Sequence, residues 1–156
     1  MTLLITPAEV TNLTPASDNI AANQQLPSAI FQAQLQYVRP VLGRKLYDAL
    51  MADVEAGTQT PRFVALQVEL RPYLAYASVQ QFLPFLHYKA TEKGVQTFDG
   101  TNQTPQADGL QMLMDKIAND INTLKADLHK WLIDNAKDYP EFDCPPPIDT
   151  TIISFV

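Results

Sequence analysis

One cysteine, Cys144, is all that 156 residues contain. That excludes an internal disulfide framework and any cysteine-based zinc cluster. Only two histidines are present, His87 and His129, which argues against a histidine-rich metal site. No apolar run approaches the ~20 residues that cross a bilayer. A basic start followed by a long apolar stretch, the mark of a secretory signal, is not seen at Met1–Thr6. Excess positive charge is also missing. Eleven lysines and arginines face seventeen acidic residues, so the broad basic footprint of a nucleic-acid binder is absent. No P-loop, dinucleotide fingerprint, HExxH, nucleophile elbow or EF-hand loop occurs. The expectation is a soluble cytosolic domain with no cofactor, no metal and no membrane partner.

What is present is a hydrophobic fraction of 46% with 18% charged residues, too apolar for a disordered chain. A folded chain of 17.4 kDa buries about 70% of its extended surface, enough for a core without staples. The charge is uneven. Residues 1–98 carry seven acidic and seven basic side chains, and residues 99–156 carry ten and four. The whole −6 therefore falls in the last third.

Proline is frequent, at twelve, and mostly separates helical patterns. Thr6-Pro7-Ala8-Glu9 spells a capping box with proline at the first helical position, opening a short helix to about Leu13. A second helix is predicted from about Asn23 to Val38, after which Pro40 bends the chain. Gly43 precedes a third, with Leu46, Tyr47, Leu50, Met51 and Val54 on one side and Gly57 as its glycine cap. Thr60-Pro61 opens a fourth, running towards Pro72. Tyr73 to Phe85 is almost uniformly apolar or uncharged, which marks a buried central helix. Pro84 is expected to kink or restart it.

Gly94 to Phe98 alternates like a short strand or extended arm. Thr104-Pro105 starts the longest helix, to about Lys137. Leu110, Met114, Ile117, Ile121, Leu124, Leu128 and Trp131 form an a/d stripe along it, widened by Leu113, Leu132 and Ile133. That stripe is expected to pack on the domain's own helices; the alternative is a seam against a second subunit. Asp120, Asp127 and Asp134 lie on the opposite, charged side. Cys144-Pro145-Pro146-Pro147 is a stiff spacer of polyproline type. It leads into Ile148–Val156, which is β-branched and nearly uncharged. The domain assignment is an α-helical body over 1–143 and an extended tail over 144–156. The fold class is mainly α: a helical bundle with one long C-terminal helix, a short β arm near 94–98 and the tail.

Candidates for chemistry are few. His87 and Glu92 can be imagined as an acid–base pair, but His87 lies among Phe85, Leu86 and Tyr88, so a core or capping role is expected. His129, between Leu128 and Lys130, is expected to be solvated. Asp115, Asn119 and Asp120 share a face as residues on adjacent turns of any acidic helix do. Cys144 has no evident activating base. An enzyme is not expected, and no residue is assigned to catalysis. Arg39, Arg44 and Lys45 form a small basic cluster, expected to be solvated with local pairing to Asp48. A free apolar tail is an aggregation hazard, so it is expected to pair with its own Val95 segment or with a neighbour. The candidate interface residues are Val95, Phe98, Ile148, Ile152, Ile153, Phe155 and Val156.

The order of these signals is informative. Ile5-Thr6-Pro7-Ala8-Glu9, then Ile30 through Tyr47 with "QLQYVRPVLGRKLY" at Gln34–Tyr47, the Pro72–Pro84 helix, Lys93-Gly94-Val95 and a long last helix follow one another. Over residues 5–142 this resembles the small α-helical head–tail connector (adaptor) proteins of tailed phages, especially those of Bacteroidetes phages and prophages. The resemblance implies a structural virion protein at the head–tail interface, made in the bacterial host cytoplasm. It implies a homo-oligomeric ring, commonly of twelve subunits, below the portal protein. Such a ring extends the DNA channel, passes DNA without sequence-specific binding, and docks tail or stopper proteins. On that reading Asp120, Asp127 and Asp134 face the channel; Arg39, Arg44 and Lys45 are the competing candidates for that lining. The alternative function is a non-viral helical protein–protein interaction module, dimeric through the 110–131 stripe.

Overall fold

The computed structural model describes residues 1–15, 24–91, 94–97 and 107–143, with backbone alone for 84–91, 94–97 and 107–110. Phe98, Glu92, Cys144 and the tail residues Ile148, Ile152, Ile153, Phe155 and Val156 lie outside the described residues. The chain is mainly α-helical.

Helix α1 spans Pro7–Leu13. Its capping box forms as spelled: the Glu9 N–H donates to Thr6 Oγ1 at 3.3 Å and the Thr6 N–H to Glu9 Oε2 at 2.7 Å. Helix α2 spans Leu26–Ala33 and continues into a π-helical turn, Gln34–Val38, and a short α3, Arg39–Leu42. The chain does not bend at Pro40 as expected. The Arg39 N–H reaches back five residues to Gln34 O, and Pro40, which has no N–H to place, rides in a widened but unbroken helix. The break falls at Gly43, with φ 76° and ψ 158°. That region is essentially glycine-only. A Cβ there would touch nothing within 4 Å, so the penalty of Gly43→Ala is backbone strain alone. We expect a loss of roughly 1–3 kcal/mol in denaturant unfolding.

Helix α4 spans Arg44–Ala56 and ends on Gly57 in the left-handed conformation. Asp53, 8% exposed, faces the next turn and accepts hydrogen bonds from the Thr60 N–H and hydroxyl. Thr60 in turn opens α5, Pro61–His87. This helix runs unbroken through Pro72, where the fourth helix was expected to end, and shows no restart at Pro84. Pro72 leaves Val68 O without its usual donor. Val68 is 53% exposed, so water reaches that turn. The opposite face buries Phe63, Leu66, Leu70, Tyr73, Leu74 and Ala77, and further along the helix Val79, Phe82 and Leu83 are buried as well. At ~1.5–3 kcal/mol for each large apolar side chain, this outweighs the ~3 kcal/mol of a mid-helix proline.

Tyr88–Thr91 (β1) and Gly94–Thr97 (β2) pair antiparallel, with Tyr88 opposite Thr97 and Thr91 opposite Gly94. Helix α6 spans Ala107–Asp134, followed by a 3₁₀ turn, Ala136–Asp138. α2, α1 and α6 all pack on α5. Ile117, Ile121, Leu128 and Leu132 are buried in this one core, with Met114, Leu124 and Trp131 partly buried against it. The long-helix stripe thus packs within its own chain. Leu113 and Ile133, expected to widen it, are 41% and 47% exposed. Ile133 lies off the buried arc, about 100° round from Leu132, whereas Leu113 shares the face of Trp131 and lies towards the N-terminal end of the helix.

Candidate functional surfaces

The Gln34–Tyr47 segment is built around a buried polar side chain. Gln34 is fully buried in the π turn. Its Oε1 accepts from the Leu4 N–H at 2.8 Å and its Nε2 donates to Thr2 O at 3.2 Å. One amide thereby ties the N-terminal strand of chain to the helix, and both its ends are satisfied. Nearby, the Tyr73 hydroxyl donates to Tyr37 O at 3.3 Å, and Tyr37 donates to Gln80 Oε1 at 3.1 Å. Burial, with Tyr37 alongside, pushes Tyr73 up to about 12, so it remains a donor across the working pH range.

The basic cluster does not stand as one patch. Arg44 pairs with Asp48 at 3.6 Å, as expected, while Lys45 reaches Asp143 at 3.0 Å. Both pairs are well exposed and contribute little stability. Arg39 makes no ion pair among the described residues.

Asp120, Asp127 and Asp134 recur every seven residues and so line one flank of α6. Lysines interrupt their charge. Lys116 Nζ bonds Asp120 Oδ2 at 3.0 Å, which raises the lysine's pKa. Tyr76, Thr123 and Leu124 complete a shallow cleft of about 330 Å³ around that pair. A second cleft, about 360 Å³, is lined by Gln25, Ser28, Ala29, Gln32 and Gln81 and carries no titratable side chain.

The C-terminal junction is held by several side chains at once. Arg62 makes a bidentate pair with Glu141 at 2.9 and 2.8 Å and donates to Asp138 O at 3.1 Å. Its guanidinium lies over Phe63, 4.4 Å from the ring centre. The Tyr139 hydroxyl donates to Arg62 O at 2.6 Å, and its ring leans on Trp131 at 5.5 Å. Phe142 meets His129 edge-on at 5.9 Å, so His129 is half-buried and not solvated as expected. This contact joins residues thirteen apart, beyond the reach of helical spacing.

The Arg62 hydrogen bonds hold Glu141 below the usual carboxylate range. A depressed carboxylate adds stability above its unfolded pKa, and the gain is lost as pH falls through the folded one. The two side chains are 33% and 28% exposed, so water screens the pair. We expect Glu141→Gln to cost about 1 kcal/mol at pH 7, a Tm decrease of ~2–4 °C by calorimetry. That difference shrinks as the pH is lowered through the depressed Glu141 pKa, where the wild-type carboxylate is protonated too.

Among the described residues no three His, Cys, Asp or Glu side chains are grouped to hold a metal ion. No described helix is long and apolar enough to cross a membrane. The reactive candidates His87, Glu92 and Cys144 lie outside the described side chains. Val95 is placed on β2 by its backbone.

These elements define a mainly α-helical protein with a hairpin following its central helix. The chain belongs to the family described as "Family of unknown function (DUF6712)", matched over residues 38–152, about three quarters of its length. The match passes through the Pro-rich spacer and into the tail as far as Ile152, further than the connector resemblance extends. No curated protein and no solved structure matches the chain.

Proposed function

We propose that this protein is a structural subunit of a homo-oligomeric ring at the head–tail interface of a tailed phage. Its partners on this reading are the portal protein above and a tail or stopper protein below, with DNA passing through the ring. The sequence resemblance centred on Gln34–Tyr47 suggests the role. The observation that carries it is polarity. The β1–β2 hairpin follows the last turn of α5, while the chain towards the tail departs from the clamp at its first turn. A closed ring with one kind of contact needs two different complementary surfaces per subunit, and two unlike segments at opposite ends suit that need.

The flank of Asp127, Asp134 and the half-buried Asp120 is the proposed channel side. Carboxylates there would keep phosphates from binding tightly, because DNA affinity scales with the cations it meets. A ring structure with Arg39, Arg44 and Lys45 at the lumen reverses that assignment. The runner-up, a dimer through the 110–131 stripe, draws no support from the burial of Ile117, Ile121 and Leu128 inside the chain.

The test is assembly with the portal encoded in the same genome. Light scattering of the mixture is expected to show a complex whose mass equals one portal ring plus a ring of this chain. Two unmixed peaks at micromolar concentrations overturn the reading.

A further inference from the structure

The hairpin is a two-stranded sheet with an outer edge on each strand. Those edges carry backbone donors and acceptors without a strand partner among the described residues, a template for a third strand. The two edges differ. β1 carries Lys89, a residue type that blunts strand edges, whereas β2, Gly94-Val95-Gln96-Thr97, carries no charge. The tail supplies a matching sequence: Ile148-Asp149-Thr150-Thr151-Ile152-Ile153-Ser154-Phe155-Val156 is rich in β-branched residues.

Reach decides which hairpin it meets. Tyr139 and Phe142 are buried and Glu141 is clamped on Arg62, so the chain leaves the body at Asp143 from a fixed place. Arg62 is in the first turn of α5 and Tyr88 follows its last. The intervening 26 residues rise about 39 Å. Phe142 turns back towards His129, and crediting the whole rise from Asp134 to His129, about 8 Å, leaves about 31 Å. The foot of the hairpin, where Thr97 faces Tyr88, lies there. From Asp143 to Ile148 the chain spans at most ~17 Å. Laying Ile148 at the foot of its own hairpin falls about 14 Å short. A fully extended tail brings only Ile152 to that level, with no slack.

We propose that the tail, Ile148–Val156, adds as a third strand to the β2 edge of a neighbouring copy. Backbone hydrogen bonding at β2 gives affinity, and the stiff Pro145–Pro147 spacer holds the strand clear of its own body. The inclusion of residues 144–152 in the family match supports a shared role for this segment. The inference rests on the ring reading for its geometry, since a head-to-tail contact is what strand donation to the next subunit creates. It concerns contacts between copies, and portal binding is a separate readout.

The test is disulfide trapping in full-length chains carrying Cys144→Ser. One preparation carries Gln96→Cys, the other Ile152→Cys with a mass tag. Mixed under mild oxidant, they are expected to give a cross-linked heterodimer at least tenfold above a Thr58→Cys/Ile152→Cys control. A synthetic Ile148–Val156 peptide is expected to compete. Circular dichroism of each variant confirms folding. No excess over control at any concentration overturns the proposal. So does a concentration-independent internal disulfide in the Gln96→Cys/Ile152→Cys double variant, which would mean the tail reaches its own hairpin. If the portal complex forms while the cross-link does not, the ring reading survives and the tail proposal falls.

Discussion

Replacing Ile121 with aspartate is expected to destabilise the chain by roughly 4–5 kcal/mol, a large share of a domain's ~5–15 kcal/mol. Ile121 is 4% exposed and stands in the middle of the stripe that packs α6 into the common core. The substitution removes a buried apolar side chain, worth ~1.5–3 kcal/mol, and leaves a carboxylate with no partner in a dry site. Some of that charge is relieved by protonation, so stability recovers partly as pH falls towards 5. The expected drop in Tm is on the order of 10 °C or more. The same experiment separates two functions. Were the stripe a seam between subunits, Ile121→Asp would give a folded monomer with an unchanged single-chain spectrum. Loss of helical signal in step with loss of the near-ultraviolet tryptophan band from Trp131 assigns the stripe to the chain's own core.

Deleting Cys144–Val156 is expected to have the opposite signature: an intact fold and no assembly. The body is closed before residue 144. Tyr139, Glu141 and Phe142 complete the contacts with Arg62, Trp131 and His129, and the one described contact at Asp143 is its exposed pair with Lys45. Tm is therefore expected to change by less than about 2 °C, the scale of an exposed ion pair. Strand donation is lost entirely, so light scattering of the truncated chain with portal is expected to show no ring. Ring formation and docking at wild-type protein concentrations would remove the tail from the assembly mechanism. A large fall in Tm would place the tail in the fold itself.

Much of the local structure was legible in the sequence. Thr6 and Glu9 are three residues apart, Gly57 follows its helix directly, and Tyr73 to Phe85 is apolar or uncharged almost throughout, the mark of a buried helix. Each of these signals is complete within a turn or two. The breaks expected at Pro40 and Pro72 do not occur, for one physical reason. A proline's cost is local, but the burial that outweighs it is not. Pro72 is tolerated because the far face of its helix is buried, and Pro40 because a π turn opens ahead of it. The sequence around either proline records the cost alone.

The candidate surfaces divide the same way. Spacing alone determined that Asp120, Asp127 and Asp134 share one flank and that the 110–131 stripe is apolar. Only the tertiary structure decided that Arg62 clamps Glu141 across 79 residues, that Gln34 holds Leu4 across 30, and that Lys45 meets Asp143. Those pairings arise when the core forms and sets distant segments side by side, so no local pattern announces them. They also set where the tail begins. The number of residues between Asp143 and Ile152 is written in the sequence, but the distance they have to span is a property of the packed helices.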